Sequence, residues 1–353
     1  GVLRQDGRDS LYIYEEEFAL GGKTYSFQGA VCRVKLEEFS KGVVLPHEET
    51  LSKAKTDRFS LMAATNCNFS QIYSLYMDED GVTARRLKNW SSGAPETEFA
   101  DADGVVHRLW AVTDPGALAA FSSDFESRRL YIADGHHRYE TALNYRDYLR
   151  ETGRAKPGGE CDYVLMTLVD MQSPGLIVFP THRIVRGVEG FDGAALLDAC
   201  AGMFHVKPYP GRAEAEQALA AAGDAGEKAF ACFDRKNGWN LLTLRDREKA
   251  RALFPDKSEA LALLDVTILH ALILDRHLGI GREKLADQSN LIYTRSAAEA
   301  EEASSSGGAD CCFLLNPTKV AEIAAVAAAG EKMPQKSTYF YPKLITGLVM
   351  NKF

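Results

Sequence analysis

The stretch Arg129-Leu130-Tyr131-Ile132-Ala133-Asp134-Gly135-His136-His137-Arg138-Tyr139-Glu140-Thr141-Ala142-Leu143 constrains this chain more than any other. A short apolar run rich in β-formers meets an Asp-Gly turn, and Tyr139, Ala142, Leu143, Tyr145 and Arg146 then follow at helical spacing. The pattern predicts strand, tight turn and helix in succession. A helix starts with unpaired backbone N–H groups and a partial positive charge, so acidic residues are the ordinary choice for its first turn. Here His136, His137 and Arg138 stand there instead. Basic side chains on an already positive helix end fit a bound polyanion, and Gly135 lets the backbone approach a phosphate closely. The same residues also fit a solvated turn with no ligand, and spacing alone leaves both readings open. Zinc is disfavoured, because adjacent histidines project in different directions and no second cluster has ligand spacing.

At 353 residues the chain exceeds one average core, which implies two domains or one with an insertion. No apolar run reaches the ~18 residues a membrane helix needs. Leu261 to Leu274 is interrupted by Asp265 and His270, and Ala321 to Gly330 by Glu322. Gly1 to Ser10 is polar and has no signal-peptide pattern. The seven cysteines form no CxxC pair and most lie in apolar segments, as buried thiols in a reducing cytoplasm would; Cys311 and Cys312 would alternate faces on a strand. A net charge of −8 argues against broad binding to nucleic acid or an anionic membrane. The expected partner is a small molecule, and the oligomeric state is left undecided.

Along the chain, Leu11 to Phe18 and Thr24 to Leu36 flank Gly21-Gly22-Lys23 as a hairpin. Pro46-His47-Glu48-Glu49-Thr50 gathers an imidazole, two carboxylates and a hydroxyl in a loop, which suits either chemistry or plain solvation. Thr56 or Asp57 is placed to cap the helix that follows. Strands are predicted at Gln71 to Met77 and Val105 to Val112, and a helix from Pro115. From His182 to Leu244 helices and strands alternate with few candidate catalytic residues, so residues 181–260 read as an inserted α+β lobe and 1–180 with 261–353 as the core. Leu261 to Leu278 reads as one long buried helix. The aromatic segment Met333-Pro334-Gln335-Lys336-Ser337-Thr338-Tyr339-Phe340-Tyr341-Pro342-Lys343 fits a docked loop at a site or a plug closing the core.

Two resemblances follow from these motifs. Gly135-His136-His137-Arg138-Tyr139-Glu140 resembles the phosphate-binding turn of the ParB and sulfiredoxin superfamily. Pro46-His47-Glu48-Glu49-Thr50, Lys55-x-Asp57-Arg58, Ala133 to Glu140, Leu264-Asp265-Val266 with His270, and Met333 to Phe340 together resemble, in order, the bacterial family catalogued as domain of unknown function 1015. Members usually begin with an earlier Pro-Pro-Tyr-Asp segment, and this sequence starts after it. Sulfiredoxins carry their reactive cysteine where this chain has His136, so sulfinic-acid repair is not expected.

The resemblance implies an α+β fold, with a ParB/sulfiredoxin-like mixed-sheet core and the smaller inserted lobe. Free-serine kinases of that superfamily look similar at the Asp-Gly-His-His-Arg turn. They imply a phosphotransferase that uses ATP or ADP with Mg²⁺ and acts on a small hydroxylated metabolite such as a hydroxy-amino acid. Phosphoryl transfer needs anion clamps and a carboxylate near the acceptor hydroxyl. On that basis Gly135, His136, His137, Arg138, Lys336 and Ser337 are expected to hold phosphate. Glu48 is the expected base, Asp134 the metal holder, and Asp134 and His136 join Glu48 in the catalytic group. The alternative is a nucleotide-binding regulatory or scaffold protein without catalysis.

Overall fold

A computed structural model describes residues 3–48, 52–287, 289–334 and 336–353. Alternating burial along Leu11–Leu20 (β1) and Lys23–Lys35 (β2) makes the expected antiparallel hairpin, with Tyr12 opposite Val31 and Leu20 opposite Lys23. Val44–Leu45 (β3), the helix Ser52–Thr65 (α1), Cys67–Asn68 (β4) and Ile72–Tyr76 (β5) come next. They are followed by Val82–Trp90 (α2), Thr97–Ala100 (β6), Val106–Val112 (β7), Pro115–Asp124 (α3), Leu130–Asp134 (β8), His136–Glu151 (α4) and Tyr163–Asp170 (β9). Eight strands form one mixed sheet in the order β3-β8-β5-β9-β2-β1-β7-β6, in which β3–β8 and β5–β9 are the parallel pairs.

Residues paired across neighbouring strands share a face. The row Ile13, Ala30, Leu168, Ser74, Ile132 therefore lies on one side. There it packs with Met62 of α1 and Tyr139, Ala142 and Leu143 of α4 in the main core. On the other side Tyr14, Val31, Leu109 and Leu165 are covered by Leu344, Ile345, Leu348 and Val349. The β5–β8 register slips between Tyr73 and Ser74, so Tyr73 lies opposite Asp134 while Ser74 lies opposite Ile132. Such a slip re-aims the last residue of a strand, here the one that enters the turn.

The chain forms two compact units, Gly1–Ile177 with Phe340–Phe353, and Val178–Tyr339. The second is built on an antiparallel six-stranded sheet, ordered Phe204–Tyr209, Gly238–Leu244, Ala229–Asp234, Cys311–Leu314, His182–Val185, Leu291–Thr294. The sequence reading ended the lobe at 260; strands at 291–294 and 311–314 belong to the same sheet, so the unit runs to 339. Cys311 packs with Phe230 and Phe313 on one face and Cys312 with Ala231 and Leu241 on the other, as alternation requires.

Two helix expectations are corrected. Thr56 and Asp57 lie inside α1 rather than capping it. Leu261 to Leu278 is not one helix: Glu259–Ala262 ends at an extended Leu264, after which Asp265–Leu269 continues through a π turn, His270–Asp275, to Arg276–Leu278. Asp265 serves the new helix as a first-turn acid. Among the described residues no helix is long and apolar enough to cross a membrane.

Candidate functional site

The turn between β8 and α4 is built on Gly135, whose φ of +98° is open to glycine and strained for other residues. A Cβ at this position would lie 2.9 Å from both Nε and Nη2 of Arg138. The close approach that the glycine permits is thus made by the protein's own guanidinium. Nη2 of Arg138 donates to Oδ2 of Asp134 at 2.8 Å, and Nη1 donates to the Gln71 carbonyl. Lys343 donates to the other oxygen of Asp134, Oδ1, at 3.1 Å. Burial holds the Arg138 guanidinium below its usual range; Asp134 opposes that shift and Arg58 adds to it.

His136 is placed differently from a phosphate donor. It is buried, and its Nε2 accepts the backbone N–H of His47 at 3.2 Å, with the two rings edge-on at 4.6 Å. A ring nitrogen that accepts carries no proton, so this contact requires neutral His136. His47 is buried as well, against Phe340, and burial pushes its imidazole down to about 4. The two histidines therefore seal β3 against α4 instead of adding cations. His137 is half-buried at the second helical position, and its carbonyl accepts the Thr141 hydroxyl at 2.7 Å. Glu48 is half-buried and directly follows His47, whose backbone N–H meets His136 of α4. Glu49 and Thr50 lie outside the described residues.

Beside this turn, α1, α4, residues 67–72 and Val164 line a shallow, half-open cleft of about 50 Å³. Arg58, Arg138, Asn68, Ser70 and Thr141 supply its polar lining, and Leu61, Met62 and Ile72 its apolar lining. Lys55 of α1 is paired with Glu140 of α4 at 2.9 Å. Arg138 thus belongs both to the Asp134 cluster and to the cleft.

Lys336 and Ser337 belong to the second unit. Ser337 is buried and its hydroxyl donates to the Pro334 carbonyl, while the Lys336 carbonyl accepts from Arg183. Asp134, expected to hold Mg²⁺, has both oxygens bonded to cations, and no group of three His, Cys, Asp or Glu forms among the described residues. The residues present do not fit a protein-held Mg²⁺.

A family model described as a protein of unknown function (DUF1015) matches residues 1–267. The chain belongs to the DUF1015 family. No curated protein matches the sequence of this DUF1015 member. Among solved structures, a conserved hypothetical protein from Pyrococcus furiosus is similar over 92% of this chain and 95% of its own, at 14% identity and a TM-score of 0.41. A free serine kinase in complex with AMP is similar over 88% and 86%, at 16% and 0.42. SbnI with a C-terminal truncation, from Staphylococcus aureus, is similar over 90% and 85%, at 12% and 0.43. Likenesses this loose transfer no activity to the DUF1015 chain.

Arg58 and Lys343 were given no role from the sequence, and His47 was noted only as the imidazole of the Pro46 to Thr50 loop. Arg58 and His47 stand in motifs that carry the DUF1015 resemblance, and Lys343 closes the aromatic segment. That signal marks them as a set, but only folding shows which of them meet.

Proposed function

We propose that this protein binds the phosphate groups of a nucleotide, ATP or ADP, in the cleft shared by Arg58 and Arg138. In this reading it is a phosphotransferase acting on a small hydroxylated metabolite such as a hydroxy-amino acid. The charge balance at the start of α4 carries the reading. Arg138 and Lys343 share the single carboxylate of Asp134, and Arg138 also faces the cleft with Arg58. Arg58 and Arg138 add to the partial positive charge of a 16-residue helix, an arrangement suited to phosphate oxygens. The proposal includes a ParB/sulfiredoxin-like use of the turn. Arg58 and Arg138 hold the phosphate, and the first amides of α4 stand behind them. Glu48 takes the proton of the acceptor hydroxyl as its oxygen bonds to phosphorus and the bond to the leaving phosphate breaks.

The test is a thermal-shift panel with ATP, ADP, CTP and pyrophosphate, each with and without Mg²⁺, because a ligand that binds only the native state raises Tm. Phosphorus NMR of the products with a pool of hydroxy-amino acids then follows. A Tm increase that Arg138→Ala abolishes supports the reading, and no shift with any of the four refutes it. One observation favours a second reading, a nucleotide-binding switch. Lys343 pins the C-terminal segment to Asp134, so an anion competing for Arg138 would redistribute that contact. Binding without turnover supports the switch.

A further inference from the structure

Tyr14 and Glu16 of β1 are wholly buried, and His107 of β7 lies opposite Glu16 in the sheet. The Tyr14 hydroxyl oxygen is 2.5 Å from Oε1 of Glu16 and 2.6 Å from Nδ1 of His107. The other nitrogen of that ring, Nε2, is 3.2 Å from Oδ2 of Asp101, whose side chain is partly exposed. Phe99 stacks on the imidazole with ring centres 4.9 Å apart, which holds each ring nitrogen toward its own partner. Four side chains thus run in single file from solvent into the core, Asp101 to His107 to Tyr14 to Glu16.

The supply of protons limits how this file is bonded. Oδ1 of Asp101 accepts the backbone N–H groups of Asp103 and Val105, each at 2.9 Å, as a carboxylate does, so Nε2 of His107 carries a proton and donates it to Oδ2. Tyr14 has one proton for two short contacts. When it donates to Nδ1 of His107, the contact with Glu16 needs a proton on the carboxyl; when it donates to Glu16, the contact with His107 needs a second proton on the ring. Both arrangements hold the same number of protons. One becomes the other as the Glu16 O–H bond breaks toward the Tyr14 oxygen and the Tyr14 O–H bond breaks toward Nδ1, which leaves a carboxylate and an imidazolium 3.6 Å apart.

Burial raises the Glu16 carboxyl to about 8, with the Asp101 charge adding to the shift and the Tyr14 bond opposing it, so the proton rests at the inner end in neutral solution. That end leads nowhere else. Oε2 of Glu16 has no hydrogen-bond partner among the described residues, and neither has the buried Tyr73 hydroxyl of β5, on which the Glu16 charge acts. Glu15, Glu17 and Arg108 bond to one another on the opposite face of the sheet.

We infer that Asp101, His107, Tyr14 and Glu16 form a proton relay that loads and unloads the buried Glu16 carboxyl from solvent without opening the sheet. In unloading, Nδ1 of His107 takes the Tyr14 proton, Nε2 releases its own to Asp101, and Asp101 passes it to water; loading reverses each step. Tyr14 packs under Leu344, Ile345 and Leu348, so the relay gives the segment that follows Lys343 a direct link to solvent pH. The inference does not depend on the nucleotide reading of the first unit.

The test follows the carboxylic-acid C=O stretch of Glu16 by infrared spectroscopy after transfer of the full chain into heavy water. The band is assigned by its loss in Glu16→Gln and moves as O–H becomes O–D. We expect the wild-type rate to be independent of urea below the unfolding transition, because no opening is involved. Tyr14→Phe breaks the file at its middle and should slow exchange at least about tenfold, with a rate that now rises with urea, since local opening is then the remaining route. Asp101→Asn should slow it too, and at the partly exposed end it keeps the test available where Tyr14→Phe does not fold. Long-range ¹H–¹⁵N NMR should find a proton on Nε2 of His107 below about pH 8. A urea-dependent rate in the wild type, a rate unchanged in both variants, or a bare Nε2 overturns the inference.

Discussion

Lys343 reaches back across 209 residues to donate to Oδ1 of Asp134 at 3.1 Å. The bond ties the C-terminal segment to the turn that starts α4, and Arg138 occupies the other oxygen of the same carboxylate. Asp134 is therefore the counter-ion that allows two cations to stand at a positive helix end.

Removing Lys343 tests how much that tie contributes. Both partners are about two-fifths exposed, so solvent screens the pair. Lys343→Met should reduce stability by less than about 1 kcal/mol in chemical denaturation. A larger loss would mean that the segment's apolar cover over Tyr14 and Val31 depends on this ion pair.

Gly135→Ala is expected to do more. It combines a positive φ with a methyl group 2.9 Å from the Arg138 guanidinium, and roughly 1–3 kcal/mol of stability should be lost. Because the added methyl pushes on Arg138, nucleotide-induced thermal shifts should fall together with Tm. A variant with a lower Tm and an unchanged ligand shift would separate Arg138 from binding.

Glu48→Gln and Arg138→Ala divide the roles proposed for the site. The first should spare nucleotide binding and abolish turnover, since the amide keeps the shape and loses the base. The second should weaken binding itself. Equal losses in both assays for both variants would contradict the assignment.

Stability should also depend on pH from two opposed groups. Burial depresses His47 from 6.5 to about 4, so its contribution is complete above 6.5 and is lost as pH falls toward 4. Glu16 is wholly buried, bonded at 2.5 Å to the Tyr14 hydroxyl, and burial raises it from 4.5 to about 8. Its contribution is complete below 4.5 and is lost as pH rises to about 8. Between 6.5 and 8 only the glutamate of this pair acts, so denaturation midpoints should decline there. Glu16→Gln should flatten that decline while leaving the profile below pH 4.5, where only His47 of the pair acts, unchanged.

Much of this was legible before folding. The β8–Gly135–α4 unit, the opening hairpin and the opposite faces of Cys311 and Cys312 follow from local steric rules and from the period of apolar residues. Family membership was legible too, because separated motifs keep their order. The helix near 264 was misread because Asp265 fits both a polar interruption within one helix and the first-turn acid of a new one, and only the extended Leu264 backbone decides between them.

What the sequence by itself determined is the kind of element at each position and an anomalous cluster of bases at one helix start. Which charges meet was decided by the tertiary structure alone. Asp134 answers Arg138 and Lys343, His136 accepts from a backbone amide at His47, and Arg183 donates to His270 and to the carbonyls of Thr181 and Lys336. Backbone preference acts over a few neighbouring residues, whereas Coulomb attraction and desolvation depend on distances that exist only once the sheets have brought remote segments together.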